Sequence, residues 1–219
     1  MGGTNAADAN LIANNNGFGV EILGQGNTVS GNSIFRNTGR AITLDPAANT
    51  NQSAPVLTAA TATRASGTLT SLSNETYRIE LFYSPDFNPN GQPQAKTFLG
   101  ATNVTTGSNS NANFSISFNQ TISSGFLTAT ATDPVGDTSA ISDGLAVSVP
   151  SLNIALVGGQ ARVFWLTNFS AFTLQSNGNV VQPNGWADVP GVPGITGSNF
   201  FRDFALTGAP SRFFRLRSQ

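Results

Sequence analysis

The chain contains no cysteine and no histidine. The first absence excludes disulfides. The second removes Ser-His and Cys-His catalysis, most zinc sites and a side chain whose unperturbed titration falls near neutral pH. Lysine is almost missing as well, Lys96 being the sole example. Charged residues make up 10% of the 219 positions, far below the roughly 25% typical of soluble domains. Low charge lowers the solubility of a free monomer, whereas a neutral polar surface suits a protein that stacks on copies of itself or sits among sugars. The net charge of −1 offers no basic surface to neutralise phosphates, so nucleic acid is not an expected partner. No apolar run approaches the ~20 residues that span a bilayer, and Met1 runs directly into Gly2-Gly3-Thr4, which reads as the start of a mature or excised segment rather than a signal peptide.

Catalytic patterns are missing too. Glu21, Glu75, Glu80 and the aspartates are scattered along the chain, with no obvious pair for glycosidic chemistry. There is no Gly-x-Ser-x-Gly elbow, and Gly24-Gln-Gly26 is not completed by a glycine at Val29. The sequence reads as that of a protein that is not an enzyme and needs no cofactor.

What is present begins with a repeat. Asn5, Asn10 and Asn15 recur as Asn27, Asn32 and Asn37, an offset of 22 residues, and at the same offset Gly17, Val20 and Ile22 match Gly39, Ile42 and Leu44. Each unit holds two short apolar stretches, Leu11-Ile12 then Val20 and Ile22, or Ile34 then Ile42 and Leu44, with Asn-Gly or Thr-Gly at the corner between them. A coil of short strands cannot bury its own apolar side chains, so coils stack and bury them in a shared column. Asparagines at equivalent corners can hydrogen-bond from coil to coil. This segment resembles the right-handed parallel β-helix of the pectate-lyase-like fold, as found in many large bacterial surface proteins. Enzymes of that fold cluster carboxylates with Arg or Lys on one strand face; Asp8, Glu21, Arg36, Arg40 and Asp45 form no such cluster. Two coils are fewer than the three or so needed for stability. The N-terminal end, with Asn5, Asn10, Leu11, Ile12 and Asn15, is therefore the expected assembly interface.

Asp45-Pro46 closes this pattern, and 47–53 reads as a linker. From Pro55 to Val149, period-2 runs suggest about seven strands and an immunoglobulin-like sandwich. Tyr77, Ile79, Leu81 and Tyr83 form one such run, Phe114, Ile116 and Phe118 another, and Leu127, Ala129 and Ala131 a third. The stretch from Phe126 to Ser142 resembles the closing hairpin of bacterial Ig-like repeats of surface proteins. Asp86-Phe87-Asn88-Pro89-Asn90-Gly91 matches the first half of a calcium loop, with Asp86, Asn88 and Asn90 as oxygen ligands. The acid required at the twelfth position falls on Thr97, and a plain hairpin loop competes with the metal reading. Asp133 and Asp137 flank a Pro-Val-Gly turn that their side chains can cap.

Beyond Pro150 lie further short strands. Asn177-Gly178 between Phe172–Ser176 and Asn179–Gln182 predicts a tight two-residue hairpin. The run Phe172-Thr-Leu-Gln-Ser176, then Trp186, then Phe213-Phe-Arg-Leu-Arg217 resembles the small β-sandwich that ends many secreted proteins of environmental bacteria. Its aromatics read mainly as core, with Trp186 as a possible sugar-stacking platform. The expectation is thus an all-β chain of three parts: parallel β-helix coils over 1–46, an Ig-like β-sandwich over 54–149, and a small C-terminal β-sandwich over 150–219. The function expected is structural or adhesive, secreted or on the cell surface, with copies of itself as the partner and head-to-tail fibres as the assembly. A carbohydrate-binding accessory region of a larger polysaccharide-active protein, or a phage fibre component, are the alternatives.

Some adhesin sandwiches carry a Lys–Asn isopeptide crosslink, which here would have to use Lys96. That residue sits beside a polar loop and reads as solvated. The intact mass should therefore equal that of the unmodified sequence, and the loss of one ammonia would reveal the crosslink instead.

Overall fold

The computed structural model describes residues 1–206 and 211–218. Its regular structure is all β, apart from short single turns of 3-10 helix. Among the described residues no helix is long and apolar enough to cross a membrane. The chain divides into two compact units, Met1–Val149 and Pro150–Gln219.

In the first unit, β1 (Leu11–Ala13), β2 (Val20–Ile22), β3 (Ser33–Phe35) and β4 (Ile42–Leu44) are three residues each. β1 pairs in parallel with β3, and β2 with β4. Leu11 lies beside Ser33 and Val20 beside Ile42, so both ladders carry the 22-residue offset. A single parallel bridge joins Gly2 to Ser30. There follow β5 (Val56–Ala60), β6 (Arg64–Thr70), β7 (Thr76–Ser84), β8 (Thr97–Thr105), β9 (Asn111–Ser117), β10 (Phe126–Thr132) and β11 (Leu145–Ala146). They form two antiparallel sheets, ordered β5-β6-β9 and β11-β10-β7-β8. Leu57, Leu69, Phe114 and Ile116 of the first sheet share one core with Tyr77, Ile79, Leu81, Leu127 and Ala129 of the second.

Alternation of Thr128, Thr130 and Thr132 with apolar neighbours would ordinarily mark a solvent-facing side. Here both faces are buried. The odd positions of β7 and β10 point into the sandwich core, while Glu80, Phe82, Thr128 and Thr130 are buried on the opposite face. Phe82 belongs to a second core with Val20, Ile22, Ile34, Ile42, Ala95 and Ile141. The N-terminal strands thus lie over the outer face of this sheet, and residues 1–149 pack around two cores that share β7.

Two carboxylates secure that packing. Glu80, 1% exposed, accepts hydrogen bonds from Ser30 Oγ (2.6 Å), the Gly31 amide (2.9 Å) and Arg78 Nε (3.0 Å). Asp137, also 1% exposed, accepts from the Gly26 amide (2.6 Å) and Thr50 Oγ1 (2.9 Å). The turn at 133–137 is capped by Asp133 alone, whose Oδ1 accepts from the amides of Val135 and Asp137. The Asp137 side chain leaves its own turn and ties down the loop at Gly26. A buried carboxylate needs such donors, because desolvating it uncompensated is costly.

The second unit contains β12 (Asn153–Val157), β13 (Gln160–Leu166), β14 (Phe172–Asn177), β15 (Ala187–Asp188), β16 (Gly194–Thr196), β17 (Asn199–Ala205) and β18 (Phe213–Ser218). Its sheets are ordered β12-β13-β17-β16 and β15-β14-β18, with Val163, Trp165 and Leu174 at the centre of its core. Arg162 makes a two-pronged contact with Asp203, 2.7 Å on each prong, and lies over the Phe201 ring. The hydrogen bond from Arg162 holds the Asp203 carboxyl below its usual range.

The tight hairpin predicted at Asn177-Gly178 does not form. Residues 179–182 are not a strand, and β14 pairs instead with β15 and β18. A two-residue turn of that type needs positive φ at both central positions, and neither Asn177 nor Gly178 has it. The Asn177 side chain turns inward, accepting from the Asn179 amide and donating to the Gln182 carbonyl, and so shapes a wider loop. The turn with two positive φ angles is at Gly158-Gly159 (57° and 77°), between β12 and β13.

Removing the Glu80 carboxylate orphans the Gly31 amide and the Ser30 hydroxyl. Glu80→Ala should destabilise the first unit by about 3 kcal/mol, and Ile34→Ala by about 2–5 kcal/mol. In urea unfolding, each should shift a single transition that reports on both cores; two separated transitions would show that the N-terminal strands melt independently.

Candidate functional site

The N-terminal strands have two unlike sides. Between the outer coil (β1, β2) and the inner coil (β3, β4), asparagines form rungs. The Asn10 amide and its Nδ2 both donate to Asn32 Oδ1, at 2.9 and 3.0 Å. Asn15 does the same to Asn37 Oδ1, at 3.1 and 2.8 Å. The inner asparagines return bonds through Nδ2, Asn32 to the Met1 carbonyl and Asn37 to that of Ile12. A third rung runs from the Asn27 amide to Asn49 Oδ1 (3.0 Å). The rungs have a direction: Asn32 Oδ1 and Asn37 Oδ1 each take two donors from the coil outside them, and Asn49 Oδ1, in the turn that follows β4, takes one from Asn27. The corresponding atoms of the outer coil, Asn10 Oδ1 and Asn15 Oδ1, accept no hydrogen bond among the described residues.

In the outer coil Val20 and Ile22 are buried and Ile12 is partly buried against the second core, while other apolar side chains are exposed. Leu11 is 71% exposed, and Phe18 and Leu23 are exposed too, whereas Ile12, the register partner of the buried Ile34, is half-buried. Of the residues expected at this interface, Asn10, Leu11, Ile12 and Asn15 share the open coil. Asn5 does not form the rung its match to Asn27 suggests. Its Nδ2 donates to Asp8 within a local 3-10 turn.

The opposite side of the inner coil is sealed by the chain itself. Ile34 and Ala95 exchange amide–carbonyl bonds at 2.7 and 2.8 Å. The Ala41 amide reaches the Pro93 carbonyl, and the Ile141 amide that of Ile42. Asn88 Nδ2 donates to the carbonyls of Asn37 (2.7 Å) and Gly39 (3.1 Å), and Asn49 Nδ2 donates to Thr138.

Those bonds also account for the loop matched to a calcium site. Asn88 Oδ1 accepts from the amides of Asn90 and Gln92, so its carboxamide is committed on both ends. Asn90 Nδ2 donates to the Thr38 carbonyl. Asp86 is exposed on the rim, and among the described residues no group of three or more acidic, histidine or cysteine side chains converges. The loop is a hydrogen-bonded staple on the inner coil. Alternating side-chain oxygens of this kind serve turn chemistry and cation sites alike. Trp186, in the second unit, is half-buried, with the Arg215 guanidinium 4.4 Å from its ring centroid. One ring face is therefore already covered.

The sealing segments at 88–96 and 137–143 were not recognised from sequence as parts of this site. Asn88 and Gln94, carboxamides in a loop rich in Pro and Asn, were the available signals.

No protein-family model matches this chain, and no curated protein matches it.

The direction of the rungs makes a specific mutational asymmetry. Asn37→Ala removes the acceptor of two Asn15 donors in a fully buried setting and should lose about 2–3 kcal/mol. Asn15→Ala removes one donor at an exposed position and should lose about 1 kcal/mol or less. Equal losses in chemical denaturation would contradict the directed rung.

Proposed function

We propose that this chain is a non-enzymatic structural or adhesive protein of the extracellular surface, whose N-terminal strands are coils of a right-handed parallel β-helix packed on an Ig-like sandwich and followed by a smaller sandwich. The observation that carries this reading is the one-sided closure of the coils. One face is hydrogen-bonded by the chain's own loops at Ile34, Asn37, Gly39, Ala41 and Ile42, while the other carries the unused acceptors of Asn10 and Asn15 and the exposed Leu11. An open strand edge is a template for another strand.

The occupant we assign to that edge is a second copy. Coil-on-coil stacking in a head-to-tail manner would need a free inner face, and residues 88–96 and 137–143 occupy it. A copy has another edge to offer. β12 is an edge strand with all five residues exposed, among them Ile154 and Leu156, and 150–160 contains no charge to discourage pairing. Open coil edge against β12 edge is a heterologous contact, which propagates into a fibre unless the rotation closes it into a ring. The low charge of the chain supports the same reading, since it removes the repulsion that keeps monomers apart.

Sedimentation over a wide concentration range, with electron microscopy of the same samples, tests this. Filaments or rings should form, and a lysine on either edge, Leu11→Lys or Ala155→Lys, should suppress them. A monodisperse monomer at the highest concentration reached would overturn the proposal.

A further inference from the structure

A cleft of about 410 Å³ opens in the first unit beside the inner coil, lined by Asn14, Phe35, Arg36, Asp86, Phe87 and Lys96, among others. Its cations are unlike the rest. Residues 1–149 hold five lysine and arginine side chains: Arg36, Arg40, Arg64, Arg78 and Lys96. Arg40 pairs with Asp143, Arg78 with Glu80, and Arg64 donates to Ser115. The other two, Arg36 and Lys96, make neither an ion pair nor a side-chain hydrogen bond among the described residues, and both line this cleft. Their charges sit by one ring, Lys96 Nζ 5.1 Å and Arg36 Cζ 6.0 Å from the Phe35 centroid.

The backbone adds an independent sign. Asn14 and Arg36 occupy equivalent corners, 22 residues apart, and both take left-handed φ, 63° and 56°. Asparagine enters that region far more readily than arginine. The inner coil therefore carries an arginine where its own repeat shows that asparagine suffices. Backbone strain of this kind, beside a cleft, points to a use for the side chain.

We propose that this cleft binds an acidic peptide segment, with one carboxylate side chain held between Arg36 and Lys96. Two observations favour a peptide over a sugar. Both cations lie over the Phe35 ring, and one face of Phe87 is covered by Phe126 at 3.9 Å, which reduces the ring surface on which a pyranose could stack. Asn14, whose carboxamide makes no hydrogen bond among the described residues, can donate to and accept from a peptide unit in an extended backbone. Asp86 on the rim opposes a ligand of the same sign and limits the site to one net positive charge.

Isothermal titration of the full chain at low salt with N-acetyl tetraglutamate amide, its tetraglutamine counterpart and a uronic acid trisaccharide tests this. Tetraglutamate should bind saturably and tetraglutamine should not. Arg36→Asn, which keeps the corner residue of the outer coil, should fold normally and weaken binding by about tenfold or more. Lys96→Gln should weaken it similarly, Asp86→Asn should strengthen it, and added salt should reduce it. The proposal falls if tetraglutamate fails to saturate, if the trisaccharide binds more tightly, or if Arg36→Asn and Lys96→Gln leave affinity unchanged.

Discussion

A parallel coil directs its backbone amides and carbonyls along the stack, so every layer depends on the layers above and below it. That requirement governs the first unit. The inner coil meets it on one side with the outer coil and on the other with segments that belong to no coil, at 93–96 and 137–143. Those segments come from the connections around β7, β8, β10 and β11, so the sandwich and the coils complete each other. The second core, in which Ile34 and Ile42 meet Phe82 and Ile141, is the packing counterpart of the same closure.

Two of the scarce charges substitute for missing layers. Glu80 and Asp137 lie buried and take donors from turns of the coil, at Ser30-Gly31 and Gly26. A carboxylate can accept several bonds at once, which suits corners where successive amides converge. By contrast the surface relies on Asn, Ser and Thr, whose hydrogen bonds carry no long-range repulsion.

The coil offset was legible because asparagine rungs and apolar positions obey the same 22-residue spacing. Asn10 with Asn32 and Asn15 with Asn37 are paired as that spacing implies, while Asn5 is diverted to Asp8 by a local turn that spacing does not report. Alternation in β7 and β10 disclosed strands but not their double burial, since threonine and glutamate read as solvent-facing until a partner surface covers them. Asn177-Gly178 misled because a dipeptide permits positive φ without compelling it. Inward hydrogen bonds to Asn179 and Gln182 outweighed the local preference. The cleft at Lys96 was invisible for a related reason. Its walls come from Phe35 and Phe87, residues far apart in the chain that only the docking of coil on sheet brings together.

One-sided closure also sets what change the architecture tolerates. On the sealed side, the register of Ile34 against Ala95 and of Ile42 against Ile141 fixes the stack to a particular loop length, so inserting or deleting a repeat there would misalign two segments at once. On the open side nothing within the fold counts layers. A whole repeat of 22 residues could be added there while every existing bond stayed in place. Stack height is therefore a quantity that duplication can raise in one direction, with the sandwich serving as the fixed origin from which it is measured.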